Sequence, residues 1–249
     1  MTKKLLFILS VLILISCGKS KEELELEKAK IDLEKTKLEL LKEKKEHENN
    51  EKKNELNKIH EQKLQVGLNK RRQKLNEYLD NAKNELKKAK EHLNSVNSFK
   101  LGRLKSTKEK QVFEASKKIY DIEKSIDGLE NALSELELRQ TFAFQDNPKS
   151  LIEYLFKSFK NKDFKNIKFL VDPYAENSNK VEYIYLLKYF PGTEQDKFLN
   201  EVSNCRVMGA PIIDNDKAAI EFAYGESSNK LAKMTFIKRM DKWYIFGNE

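Results

Sequence analysis

The 249 residues carry 48 Lys/Arg against 40 Asp/Glu, a formal net charge of +8, with 35% charged residues and only 8 Gly and 4 Pro. That mix excludes a Pro/Gly-rich or disulfide-stapled chain and reads as long solvated helix beside a smaller globular part. The aromatics place that part: between residues 17 and 140 they are only Tyr78, Phe99, Phe113 and Tyr120, and from Thr141 onward they are dense and include the only Trp, Trp243.

Met1-Thr2-Lys3-Lys4 is a short basic start, and residues 5–15 are apolar except for Ser10. This run is too short to span a bilayer, which takes about 20 apolar residues, but it has the length of a signal-peptide apolar region. It ends in Leu14-Ile15-Ser16-Cys17, which resembles the lipobox of bacterial lipoproteins. The resemblance implies a signal peptide over residues 1–16 and acylation of Cys17, an anchor of several acyl chains at about 0.8 kcal/mol per buried CH₂. It also implies a cell-envelope location. Gly18 is not the Asp that holds such proteins in the inner membrane, so the outer membrane is favoured, and Lys19-Ser20-Lys21-Glu22-Glu23 is similar to signals that carry some of them to the cell surface. Loss of Lys3 and Lys4 would lower the side-chain charge from +8 to +6, and lipid on Cys17 would leave Cys205 without a disulfide partner. Export removes nucleic acid, the usual partner of a basic chain, from the expected list.

Residues 17–67 read as a charged helical stalk. Leu26, Ala29, Leu33, Thr36 and Leu40 keep a heptad, with Glu25, Asp32 and Glu39 at g and Lys30, Lys37 and Lys44 at e, a pattern for self-association as a parallel pair. Leu24, Ile31 and Leu38 lie on the opposite side and oppose a simple dimer. A solvated single helix laced by Glu–Lys pairs is the plainer reading of the polar stretch that follows, with weak points at Asn49-Asn50 and Gly67.

Residues 68–140 predict an antiparallel coiled-coil hairpin. One seam is Leu75, Leu79, Ala82, Leu86, Ala89, Leu93 and Val96; the other is Val112, Ala115, Ile119, Ile122, Ile126, Leu129, Leu133 and Leu136. Both alternate three and four, and at 1.5 Å per residue they run about 32 and 36 Å. Gly102 would end the first helix, and Ser106-x-x-Glu109 is a capping box for the second. Residues 81–110 hold nine Lys/Arg against three Glu, so the tip suits an anionic glycan, lipid headgroups or an acidic envelope protein, although a solvated, non-aggregating surface is the preferred reading.

Residues 141–249 predict an α+β domain with its own core. Asn147 or Asp146 caps a helix whose first residue is Pro148 and whose apolar face is Leu151, Ile152, Leu155, Phe156 and Phe159. Helical character continues through Phe164, Ile167, Leu170 and Val171, over residues 181–190, and again after Pro191-Gly192. Four strands of period two then follow over residues 206–213, 218–224, 231–239 and 243–246, with turns at Asp214-Asn215-Asp216, residues 225–229 and Met240-Asp241. "SLIEYLFKSFKNKDFKNIKFLVD", "DKAAIEFAYG", "KMTFIKR" and "DKWYIFG" resemble the small lipoprotein domains of the nuclear transport factor 2-like (cystatin-like, lumazine-binding-like) superfamily. Asp163-Phe164 and Lys242-Trp243 carry the likeness. It implies a curved sheet wrapped by helices into a cone whose open end holds a small ligand, and enzymatic members place Asp/His pairs inside.

This chain's histidines are His47, His60 and His92, all before that domain. Cys205 therefore lacks a neighbouring His in sequence and reads as a small apolar residue. Asp214 and Asp216 read as a turn, since a calcium loop needs further acids and a distal Glu. Asp163, Asp172, Glu182 and Glu221 remain as carboxylates with no spacing that joins any two, and Trp243, Tyr224 and Tyr154 suit a core or a pocket. No catalytic residue, cofactor or metal ligand is assigned, and the chain is expected to be a non-enzymatic binding or scaffold module. The alternative is a small-ligand binder or rudimentary enzyme using the domain's pocket. The hairpin also resembles export-pump adaptors, but those flank it with two halves of a β-domain, and here charged helix precedes it.

Overall fold

The computed structural model describes residues 21–98 and 105–248. The expected signal peptide, Cys17 and Gly102 lie outside these residues. The fold is α+β, and it divides into two units, the first ending at Ile59 and the second starting at His60.

Helix α1, Lys21–Ser98, is 78 residues long and runs unbroken through Asn49, Asn50 and Gly67. In its first unit every described side chain except Glu27 is exposed, Leu26, Leu33 and Leu40 among them. Local contacts such as Thr36 Oγ1 donating to the Asp32 carbonyl at 2.9 Å, and His47 at 3.5 Å from Glu51, decorate this stretch.

In the second unit the rest of α1 pairs with α2, Lys105–Ser134. Lys83–Glu130 at 3.4 Å and Lys90–Glu123 at 3.0 Å fix an antiparallel order, and from Leu79 to Ser98 the only side chains not exposed are the seam residues predicted above. α2 starts one residue before Ser106, so Ser106 lies in the first turn instead of capping it.

α2 has a second covered row, Asp121, Ser125, Gly128 and Ala132, also spaced four and three. A Cβ on Gly128 would stand 1.9 Å from the Tyr189 carbonyl oxygen, and one on Gly67 would stand 2.4 Å from that of Pro173. Gly67 is thus not a weak point in a stalk; it admits the backbone of the C-terminal domain to the helix. The separate cores expected for hairpin and domain do not exist. Leu68, Leu75, Ala132 and Leu136 belong to the same buried cluster as Leu151, Ile220, Phe236 and Ile245.

α3, Pro148–Asn161, begins as predicted, with Asn147 Oδ1 accepting from the Lys149 N–H at 2.8 Å. It ends in a Schellman motif: Lys162 takes the left-handed conformation at φ 53°, its N–H bonds Phe159, and the Asp163 N–H bonds Ser158. Past this stop the predicted helical continuation is a single 3₁₀ turn, Ile167–Leu170, followed by α4, Ser178–Leu186, a 3₁₀ turn Leu187–Tyr189, and α5, Gly192–Glu201.

The sheet has five strands instead of four. They are β1 Arg206–Val207, β2 Ile212–Asp214, β3 Lys217–Tyr224, β4 Lys230–Arg239 and β5 Lys242–Asn248. All pair antiparallel in the order β1-β3-β4-β5, with β2 also on β3. The predicted first strand breaks because Gly209 sits at φ 97° and Pro211 has no N–H for the ladder. Leu151, Ile152 and Leu155 of α3 are fully buried and cover the sheet with Ile220, Phe236 and Ile245, so the space expected as the cone's interior is filled by side chains.

Candidate functional site

The structure brings charge together where α1 meets the C-terminal domain. Leu64, Leu68 and Leu75 face that domain at helical spacing, and Arg71 stands in the same row, 6% exposed. Its Nη2 donates to the Asp172 carbonyl, and the guanidinium lies 4.7 Å from the centre of the Tyr185 ring. Burial pulls its pKa below the ordinary arginine value.

Around it the acids are held by other cations. Glu182, predicted as a candidate carboxylate, is 7% exposed; Lys74 reaches its Oε2 at 3.3 Å, while Oε1 has no hydrogen-bond partner among the described residues. Asp172, another candidate, is 1% exposed and accepts from Arg239 Nε at 3.2 Å and from the N–H groups of Tyr174 and Glu176. It shapes the turn after the Ile167–Leu170 segment, a structural use.

Glu135, just past α2, accepts from Lys168 Nζ at 2.6 Å, Lys188 Nζ at 2.7 Å and the Tyr189 hydroxyl at 2.8 Å. These bonds, that from Lys168 first, hold its carboxyl down at about 2. Burial lowers the Lys168 ammonium despite this partner, because only 3% of its side chain is exposed. Burial, reinforced by Glu135, raises the Tyr189 hydroxyl above the ordinary phenol range.

Two concavities open here. A cavity of ≈ 180 Å³ is lined by Arg71, Arg139, Lys168 and Glu135 together with Leu64, Phe169 and Tyr244. His60 also borders it, with Nδ1 against the Tyr174 hydroxyl and a pKa lowered chiefly by burial. A wider cleft of ≈ 460 Å³ lies between Tyr78 and Leu129 of the hairpin and Tyr183, Leu186 and Phe190 of the domain, with Glu182 in its wall.

The other predicted residues lie elsewhere. Asp163 is exposed and accepts from the Lys165 N–H, Glu221 is exposed on β3, and Asp214 and Asp216 flank the β2–β3 turn at Asn215, φ 53°. Cys205 is half-buried against the core, its thiol donates to the Val202 carbonyl, and burial pushes it up to about 11. Trp243 is a core residue, and Tyr154 stacks on Phe144 at 3.9 Å.

Arg71, Glu135 and Lys168 escaped the sequence reading. Arg71 carried a signal, an arginine occupying an apolar row between Leu68 and Leu75. No family model matches this chain, and neither a curated protein nor a solved structure is similar to it. What fold and site define is an α+β protein whose helical hairpin and sheet domain share one core and enclose a charged junction.

Proposed function

We propose that this is a lipid-anchored protein of the bacterial cell envelope, and that its folded part is a non-enzymatic binding or scaffold module. The observation that carries the reading is Leu14-Ile15-Ser16-Cys17 at the end of the apolar run. Among the described residues no helix is long and apolar enough to cross a membrane, so attachment in this reading falls to acyl chains on Cys17. Two of the candidate acid–base groups, Glu135 and Cys205, are displaced away from neutrality, down to about 2 and up to about 11. The partners in this reading are the membrane through the lipid, an envelope protein or anionic glycan at the basic hairpin tip, and further copies through the exposed leucines of residues 26–40.

A second reading, a small-ligand binder, draws on the cavity beside Arg71; it places the ligand between hairpin and domain instead of inside a cone. Cys17 decides the first reading. Cys17→Ala is expected to leave an unlipidated, slower-migrating precursor that is no longer recovered with membranes as a mature lipoprotein, whereas the parent chain yields an acylated amino-terminal peptide beginning at Cys17. Mass spectrometry that finds an unmodified Cys17 within an uncut chain refutes it.

A further inference from the structure

A guanidinium carries five N–H donors and stays charged in proteins. Arg71 spends one of them on the Asp172 carbonyl and turns its face to Tyr185. Among the described residues no carboxylate forms an ion pair with it within 4.0 Å. The acids near by are already engaged: Glu182 by Lys74, Asp172 by Arg239, Glu135 by Lys168 and Lys188, and Glu61 by Arg139 at 3.3 Å. Arg71 is therefore a buried cation without an ion pair of its own, although the charges of Glu182 and Asp172 act on it, and Arg239 is shared between Asp172 and Glu176.

The same side chain lines the ≈ 180 Å³ cavity, where Arg139 is paired with Glu61 and Lys168 shares Glu135 with Lys188, so the lining holds the three cations Arg71, Arg139 and Lys168 against the two acids Glu61 and Glu135. The remaining wall is largely apolar, with Leu64, Leu136, Leu138 and Phe169. We propose that this cavity binds a small organic monocarboxylate, its carboxylate on Arg71 and its apolar body against these leucines and Phe169. A planar carboxylate matches the guanidinium fork and brings a negative charge to a lining in which cations outnumber acids. A phosphate brings more charge and a hydration shell that the apolar wall cannot replace, and an ammonium meets a cation. The assignment deepens the small-ligand reading above; its measurement does not depend on the fate of Cys17.

Benzoate is a suitable probe, titrated by calorimetry into the full chain in non-ionic detergent, with benzylamine, benzyl alcohol and inorganic phosphate as comparisons. Benzoate is expected to bind at least about tenfold more tightly than each of them, the margin of a charge-assisted fork. Arg71→Gln is expected to weaken benzoate at least about tenfold and leave benzyl alcohol unchanged. Leu138 is 59% exposed, at the cavity mouth, so Leu138→Trp should block benzoate without moving the melting midpoint. That second variant decides the matter if Arg71→Gln does not fold. No benzoate binding at its highest soluble concentration overturns the proposal, as does benzoate binding that neither foldable variant weakens. Phosphate bound as tightly as benzoate overturns the ligand class.

Discussion

Glu135 shows how a single side chain ties three segments together. Its carboxylate receives Lys168, from the 3₁₀ turn after α3, and Lys188 and Tyr189, from the turn after α4, while its own backbone closes the end of the hairpin. The folded carboxyl titrates at about 2, below its ordinary value of 4.5, so the fold favours the charged form. That stabilisation is complete above 4.5 and is lost as the pH falls from 4.5 through about 2. Glu135→Gln should cost about 2–3 kcal/mol at neutral pH, since it strands the buried Lys168, with a discount for a carboxylate that is partly exposed. Denaturant titrations at several pH values check this: the parent chain should lose stability below 4.5 and the variant should lose less of it. Equal acid sensitivity would show that Glu135 is not the group responsible. None of this network was legible in the sequence, because its members come from positions far apart and only the fold sets them within hydrogen-bond reach. Arg71 was legible in principle, since a charge in an apolar helical row must be either misread or meant for a buried role.

At the scale of elements, the two seams were readable because a 3.5-residue period survives without knowledge of what covers it. The second row of α2 was not, since Asp121, Ser125, Gly128 and Ala132 lack the bulk that marks a buried face. Small residues there permit backbone-to-backbone approach, and hydropathy does not register that. The strands were legible from their period of two, apart from the break that Gly209 and Pro211 impose. Two mutational tests follow from the shared core. Leu75 is fully buried in it, so Leu75→Ala should lower the single transition of hairpin and domain together by about 2–5 kcal/mol. Val96, buried only within the hairpin, should respond differently: Val96→Asp should loosen the tip, read by amide exchange in residues 86–98 and 108–119, and leave the domain's midpoint in place. Gly128→Ala gains about 1 kcal/mol of helix propensity. Its Cβ would nonetheless overlap the Tyr189 carbonyl, so a backbone must move and the net effect should be a lower melting midpoint.

For the molecule as a whole, the division that matters is not the one composition suggests. Aromatic density changes near residues 139–148, yet packing changes at residue 60, because the hairpin contributes Leu68, Leu75, Ala132 and Leu136 to the domain's core. The hairpin's composition is dominated by its solvated faces, which hides the few positions that bury. Residues 21–59 present the opposite case, a helix with leucines but with no buried side chain of its own. A lone helix of this kind is held by propensity and by ion pairs between residues three or four apart, each worth about 0.2–0.5 kcal/mol, and it opens locally at little cost. From residue 60 onward, opening must break the shared core. Brief digestion with trypsin, for which lysines are abundant in both units, should therefore remove the chain up to Lys58 or Lys63 and leave a fragment that begins at Ile59 or Leu64 and resists further cutting, except at the Lys-rich hairpin tip. Mass spectrometry of the surviving fragment gives its first residue. A stable product that begins near residue 140 would mean that the hairpin and the domain do not share a core, and the fold described here would have to be redrawn at that joint.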